Sequence, residues 1–252
     1  QRVEEGEWSQ FLDMAVCPLT DPRFYQFINE PLLTDSAPQV RVGLFRGEDD
    51  VLCIRSNHMA LDGGGAVNYL SLLASTYKEL GKDTRHSSIK VTADRPGPLQ
   101  VLREVGVLNA IRALPHIDLP GRPWGVPRTG DDDARGVYTV TQLSPERLNA
   151  VREYARVRKV TVNDVLLASF YRSLFEVCAP PAGARLMVEV PVNLRKYLPR
   201  SQTDVPSDLS AVYLVNIERV ENETYEQTLD RVHRQLSKKK SNRVELAELV
   251  LL

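Results

Sequence analysis

Of the four histidines in the chain, one stands in a pattern with chemical content: His58-x-x-x-Asp62-Gly63, inside Asn57-His-Met-Ala-Leu-Asp-Gly-Gly-Gly65. A neutral imidazole can take a proton from a hydroxyl, amine or thiol near neutral pH, so this histidine is a candidate general base. The glycines beside it let a backbone or a ligand come close. The pattern is rare by chance, with about 0.01 occurrences expected in a chain of this length. Asp62 has two open roles. On a continuous helix it would share a face with His58 and orient the ring. The three glycines argue against such a helix, and the carboxylate could instead turn away and pair with a distant arginine, bracing the loop. The bland alternative is a core histidine followed by a turn-forming Asp-Gly.

The elements that must position this motif are legible on both sides of it. Residues 40–46 and 51–56 read as two strands joined by a short hairpin through Gly47-Glu-Asp-Asp50. The motif follows directly, and a helix over 66–80 comes next, with Ala66, Leu70, Leu73, Tyr77 and Leu80 on one face. A short helical stretch spans 101–113. Residues 115–136, rich in proline and glycine, read as a long connection. A strand over 136–143 leads to Ser144-Pro145-Glu146, a helix start that runs to about Lys159. Thr161-Val-Asn-Asp164 has capping-box spacing and opens an apolar, deeply buried helix to about Val177. Strands are expected at 186–192 and 211–217, and a helix capped by Thr224 carries Tyr225, Leu229, Val232 and Leu236. Strands and helices mix without βαβ alternation, so the class is α/β in the mixed α+β sense, with helices packed on mixed sheets.

Composition sets the bounds. The chain has 252 residues, 42% apolar and 26% charged, which is ordinary for a globular protein able to bury its own core. Thirty-two basic residues against 33 acidic give a net charge of −1, which argues against a nucleic-acid footprint or a polybasic membrane surface. No apolar run approaches the length of a membrane span. The three cysteines, Cys17, Cys53 and Cys178, are scattered, and no zinc spacing exists. Small buried thiols in a reducing, cytoplasmic setting are expected, with no disulfide framework and no metal. His86 and His116 read as surface loop residues, His233 as an exposed helix residue, Lys238-Lys-Lys240 as a solvated helix end and Trp124 as a packing anchor. Neither Ser71 nor Ser75 has nucleophile-elbow spacing. Both ends look cut, as in a piece of something longer.

The run Leu52-Cys-Ile-Arg-Ser-Asn-His-Met-Ala-Leu-Asp-Gly-Gly-Gly65, with Leu72-Leu-Ala-Ser-Thr-Tyr-Lys-Glu-Leu80 after it, resembles the condensation-domain and chloramphenicol-acetyltransferase-like acyltransferase superfamily. Val160-Thr-Val-Asn-Asp-Val-Leu-Leu-Ala168, Val190-Pro-Val-Asn-Leu-Arg195 and Leu209-Ser-Ala-Val-Tyr-Leu-Val-Asn-Ile217 continue it in the family's order, over most of 38–237. The resemblance implies a two-lobe pseudo-dimer with the histidine at the lobe interface, reached by substrates through a tunnel. Residues 1–114 would form a partial N-terminal lobe, 115–136 the connection and 137–252 a partial C-terminal lobe, incomplete at both ends. By the same resemblance His58 is the base, Asp62 a structural residue paired with an arginine, Arg195 that arginine, and Gly63 the glycine that keeps the tunnel open.

The implied reaction is acyl transfer from a thioester, acyl-CoA or a phosphopantetheine arm, to a hydroxyl or amine acceptor. It would proceed without an acyl-enzyme and without a permanently bound cofactor. The implied partners are a small-molecule acceptor and an acyl or peptidyl carrier protein, in natural-product biosynthesis. The alternative is an inactive condensation-like module that docks a carrier protein or a partner enzyme. One departure bears on this: many condensation domains carry two adjacent histidines, and Asn57 stands where the first would be. The Asp-Phe-Gly-Trp-Gly motif of the plant acyltransferase branch is not in the chain.

Overall fold

The computed structural model describes residues 12–16, 22–32, 38–47, 50–82, 95–117, 123–125 and 141–251, with the backbone alone for 12–16. In chain order the elements are β1 (Leu12–Val16), α1 (Pro22–Asn29), β2 (Val40–Arg46), β3 (Val51–Ser56), α2 (Gly63–Lys82), α3 (Pro98–Val105), α4 (Val107–Ala113), α5 (Pro145–Arg158), α6 (Val162–Cys178), β4 (Arg185–Asn193), α7 (Arg200–Thr203), β5 (Ser210–Glu218) and α8 (Tyr225–Ser241). Short 3-10 turns cover Leu114–His116, Leu194–Tyr197 and Val244–Val250. Contacts divide the chain into two compact units. One holds Gln1–Val101 together with Arg195–Leu209, and the other holds Leu102–Leu194 with Ser210–Leu252. Residues 102–114 therefore group with the second unit and 195–209 with the first.

In the first unit β1 runs parallel to β2, and β2 and β3 form the expected hairpin, from Val40 opposite Ser56 to Phe45 opposite Val51. Its small core is aromatic. Phe24 and Phe27 meet Phe45 edge-on at centroid distances of 5.1 and 5.5 Å, the arrangement that ring quadrupoles favour. Gly43 is required there, because a Cβ would stand 2.8 Å from the Phe45 ring and 2.9 Å from Phe27. α2 begins at Gly63, three residues before the expected start. On the apolar face read from the sequence, Leu70, Tyr77 and Leu80 are exposed and Ala66 and Leu73 are half-buried, while Gly65 is the buried residue of this helix among the described residues. Apolar periodicity marks a face, but the tertiary partner decides what is buried.

The second unit is built on the antiparallel pair β4–β5, in register from Arg185 opposite Glu218 to Asn193 opposite Ser210. Both capping boxes read from the sequence are present. Thr161 and Asp164 exchange side-chain and backbone bonds at the start of α6, as do Thr224 and Gln227 at α8. The Ser144 hydroxyl caps α5, and that helix ends at Lys159 in the left-handed region. Tyr171, Tyr213, Val215, Leu229, Val232 and Leu236 fill the core, with Trp124 packed against it. That packing makes Trp124 the expected anchor, and its backbone N–H also donates to the Arg185 carbonyl. α6 is buried on one side only, since Leu166 and Phe170 are half exposed. The expected helix over 101–113 is two helices, because Gly106 takes φ 80 between them. Residues 141–143 are irregular, and the rest of the expected strand over 136–143 lies outside the described residues.

The free edge of β5 is closed by side chains. The Gln235 amide accepts from the Asn216 N–H and donates to its carbonyl, and the Glu248 carboxylate accepts from the Val212 N–H. Val212 therefore points its N–H away from β4. Pro191, opposite Val212 in the register, loses no ladder bond by lacking one.

Candidate active site

His58 lies on the turn that joins β3 to α2, and Asn57 shapes that turn. The Asn57 side-chain oxygen accepts from the Met59 N–H at 3.0 Å, and its carbonyl accepts from Ala60 and Leu61. This is an Asx turn, which asparagine forms readily. It leaves the His58 side chain 79% exposed, with Nδ1 3.6 Å from a carboxylate oxygen of Asp208.

Asp62 faces the other way. Its Oδ1 accepts from the Gly65 N–H at 2.6 Å and so caps α2. Its Oδ2 accepts from Arg195 Nη1 and from the Leu209 N–H, both at 2.8 Å. The two side chains of this ion pair are 5% and 6% exposed. Arg195 Nη2 donates in turn to the Ser207 carbonyl at 2.6 Å. Burial pushes the Asp62 carboxyl up, but the Arg195 bond, the Gly65 and Leu209 N–H groups and the Arg195 charge together hold it below the usual carboxylate range. Of the two roles open to Asp62, the structure shows the brace: it meets Arg195 and turns away from His58.

The glycine pressed hardest by the protein is Gly65 rather than Gly63. A Cβ on Gly65 would collide with the Ser207 backbone, whereas one on Gly63 would meet no atom. α2 thus begins against residues 203–209, and Asn68 extends the contact by donating to the Thr203 carbonyl at 2.8 Å.

Sequence reading missed two residues here. Arg95 donates from Nε to the Pro206 carbonyl at 2.9 Å and from Nη2 to the Ala60 carbonyl, tying the His58 turn to the same segment. Asp208 is the other. No local pattern announces either, because their partners are remote in the sequence.

Outside this site, His116 is exposed on its turn, as expected, and His86 and Cys17 lie outside the described residues. His233 is not an exposed-face residue: its Nδ1 lies 2.9 Å from Asp164 Oδ2, and that carboxylate is 1% exposed. Helical spacing put it on the outer face of α8, but α6 packs there. Lys239 is also buried, at 3% exposure, so Lys238-Lys-Lys240 is not uniformly solvated. Ser71 and Ser75 donate to carbonyls of their own helix. Among the described residues no cluster of His, Cys, Asp or Glu could hold a metal ion, and no helix is long and apolar enough to cross a membrane.

No protein-family model matches the chain, and no curated protein matches it in sequence. Solved structures do match in fold. The first condensation domain of the calcium-dependent antibiotic synthetase aligns over 93% of this chain and 56% of its own, at 15% identity and TM-score 0.64. The epimerization domain from the third module of tyrocidine synthetase B aligns over 94% and 57%, at 13% identity and TM-score 0.67. Polyketide synthase associated protein 5 from Mycobacterium tuberculosis aligns over 86% and 56%, at 17% identity and TM-score 0.64. The chain has the condensation-domain fold. It spans a little over half the length of these structures, 56–57%. The expected class, a mixed α/β fold of the chloramphenicol-acetyltransferase-like type, is therefore the observed one.

Proposed function

We propose that this condensation-like chain takes part in acyl transfer from a thioester, with His58 as the general base. The observation that carries the reading is the division of labour at the motif. Asp62 is buried, caps α2 and is paired with Arg195, while His58 projects from the same turn with its ring accessible. A histidine held on a braced turn and open to a second molecule suits proton transfer.

In this reading the acceptor hydroxyl or amine attacks the thioester carbonyl carbon as His58 takes its proton. A C–O or C–N bond forms, and the electron pair of the carbonyl moves onto oxygen. Collapse of the tetrahedral intermediate breaks the C–S bond, and the imidazolium returns the proton to the leaving thiolate. No acyl-enzyme is needed. The donor is acyl-CoA or a phosphopantetheine arm, and in the second case a carrier protein is the partner. The fold shared with synthetase domains supports a place in natural-product assembly.

A second reading is a docking module for a carrier protein. It is favoured by the solvent exposure of the His58 side chain. The two are separated by intact-mass analysis of the full-length protein's reaction with a panel of acyl-CoA and acyl-carrier thioesters and mixed alcohol and amine acceptors. Acyl product that requires His58 supports transfer. Carrier binding without product supports docking.

A further inference from the structure

The segment after α7 does more than brace Asp62. Three of its residues are pinned by backbone: Pro206 by Arg95, Ser207 by Arg195 and by the Asp62 N–H, and Leu209 by Asp62 Oδ2. Asp208 lies between them, and its side chain faces His58, with Oδ2 3.6 Å from Nδ1. The His58 turn is pinned in its own right, by Asn57 from within and by Arg95 at the Ala60 carbonyl. Arg95 is common to both: it donates to the Ala60 carbonyl of the turn and to the Pro206 carbonyl of the segment that carries Asp208.

The geometry points to Asp208 as a positioning residue that holds the His58 ring with its proton on Nδ1 and leaves Nε2 bare as the base. This deepens the reading of His58 given above. The gap of 3.6 Å is an ion-pair distance, longer than a hydrogen bond. It closes with a shift of about half an ångström, which such contacts commonly make when a site is occupied. A pair this exposed contributes little stability. Its consequence is the choice of tautomer, because the partner of one ring nitrogen decides which nitrogen keeps the proton. Asp208 presents its carboxylate to the ring, while Arg95, Asp62 and Arg195 are engaged with backbone or with each other.

The test is nitrogen-15 NMR of the histidine rings in the full chain without substrate, at alkaline pH where an imidazole is neutral. The His58 signal is assigned by its loss in His58→Ala. Wild type should show the Nδ1–H tautomer, and Asp208→Ala the Nε2–H form that an unrestrained imidazole favours. An Nε2–H form in wild type, or an Nδ1–H form that persists in Asp208→Ala, overturns the assignment. This readout needs no turnover, so failure of the acyl-transfer reading leaves it intact and separately decided. Where transfer is measured, Asp208→Ala should lower kcat about 10–100-fold with KM unchanged. A rise in KM alone contradicts a positioning role.

Discussion

Two histidine–aspartate contacts occur among the described residues, one in each compact unit, and they are built in opposite ways. His233 and Asp164 approach to 2.9 Å, with the carboxylate buried and already committed to the cap of α6. His58 and Asp208 stand 3.6 Å apart, with the ring in solvent. By distance alone the first pair is the better candidate for chemistry. Its surroundings say otherwise. Asp164 accepts from the Thr161 N–H while His233 reaches it from α8, so the contact ties two helices of one core together. At His58 the tight, buried interactions belong to neighbouring residues, and the histidine itself is left accessible. Tight pairing marks what holds the fold; the looser pair, carried on a braced turn, is the one that can meet a second molecule.

The comparison can be broken most forcefully at the brace. Asp62→Ala and Arg195→Ala should each destabilise the protein by about 3–5 kcal/mol, because each strands a buried charge. Denaturant melts of the two single variants and the double variant read their coupling. Additive losses would show that the two residues do not act as a pair. Next in size, Asp164→Ala removes a capping box and leaves His233 without its partner. We expect a loss of about 1–3 kcal/mol, visible as a lower Tm. A comparable loss is expected for Gly65→Ala, where a methyl meets the Ser207 backbone, at about 1–3 kcal/mol. Gly63→Ala should stay within about 0.5 kcal/mol, since that position faces open space. Equal Tm values for the two glycine variants would contradict the close approach at Gly65.

Acid should expose both carboxylates together. Asp62 and Asp164 each gain stabilising bonds that outweigh burial, so both are held below the ordinary carboxylate value in the folded protein. The native state then binds fewer protons than the unfolded one near the unfolded value of about 3.9. Their contribution is complete above that value and is lost as pH falls through the folded pKa. Melts between pH 6 and 2.5 should show stability declining, with a shallower decline in Asp62→Asn. A small effect is also expected at His233→Ala, within about 1 kcal/mol of wild type, because Asp164 keeps its cap.

The fold was legible where the signal was local. The β2–β3 hairpin, Ser144-Pro145 and the two capping boxes each depend on residues within a few positions of one another, and all stand where the sequence puts them. The motif was legible as a pattern, but spacing left both roles of Asp62 open, and its assignment to the brace came through the resemblance. Arg195 came only through resemblance to a family, since it lies 133 residues from Asp62. Arg95, Asp208 and the α6 partner of His233 carried no signal at all, because their types are ordinary and their partners are distant in the chain. The same limit explains α2, where spacing marked the shared face but not that Leu70, Tyr77 and Leu80 on it are exposed.

The central claim is that the exposed histidine, rather than the tightly paired one, does the chemistry. The most direct measurement is the rate of acyl transfer from a thioester by the full-length protein, with His58→Ala and His233→Ala side by side and both confirmed as folded. The account predicts a fall of about 10²–10⁴-fold for His58→Ala and a rate close to wild type for His233→Ala. Undiminished transfer by His58→Ala, or an equal fall in both variants, would contradict it.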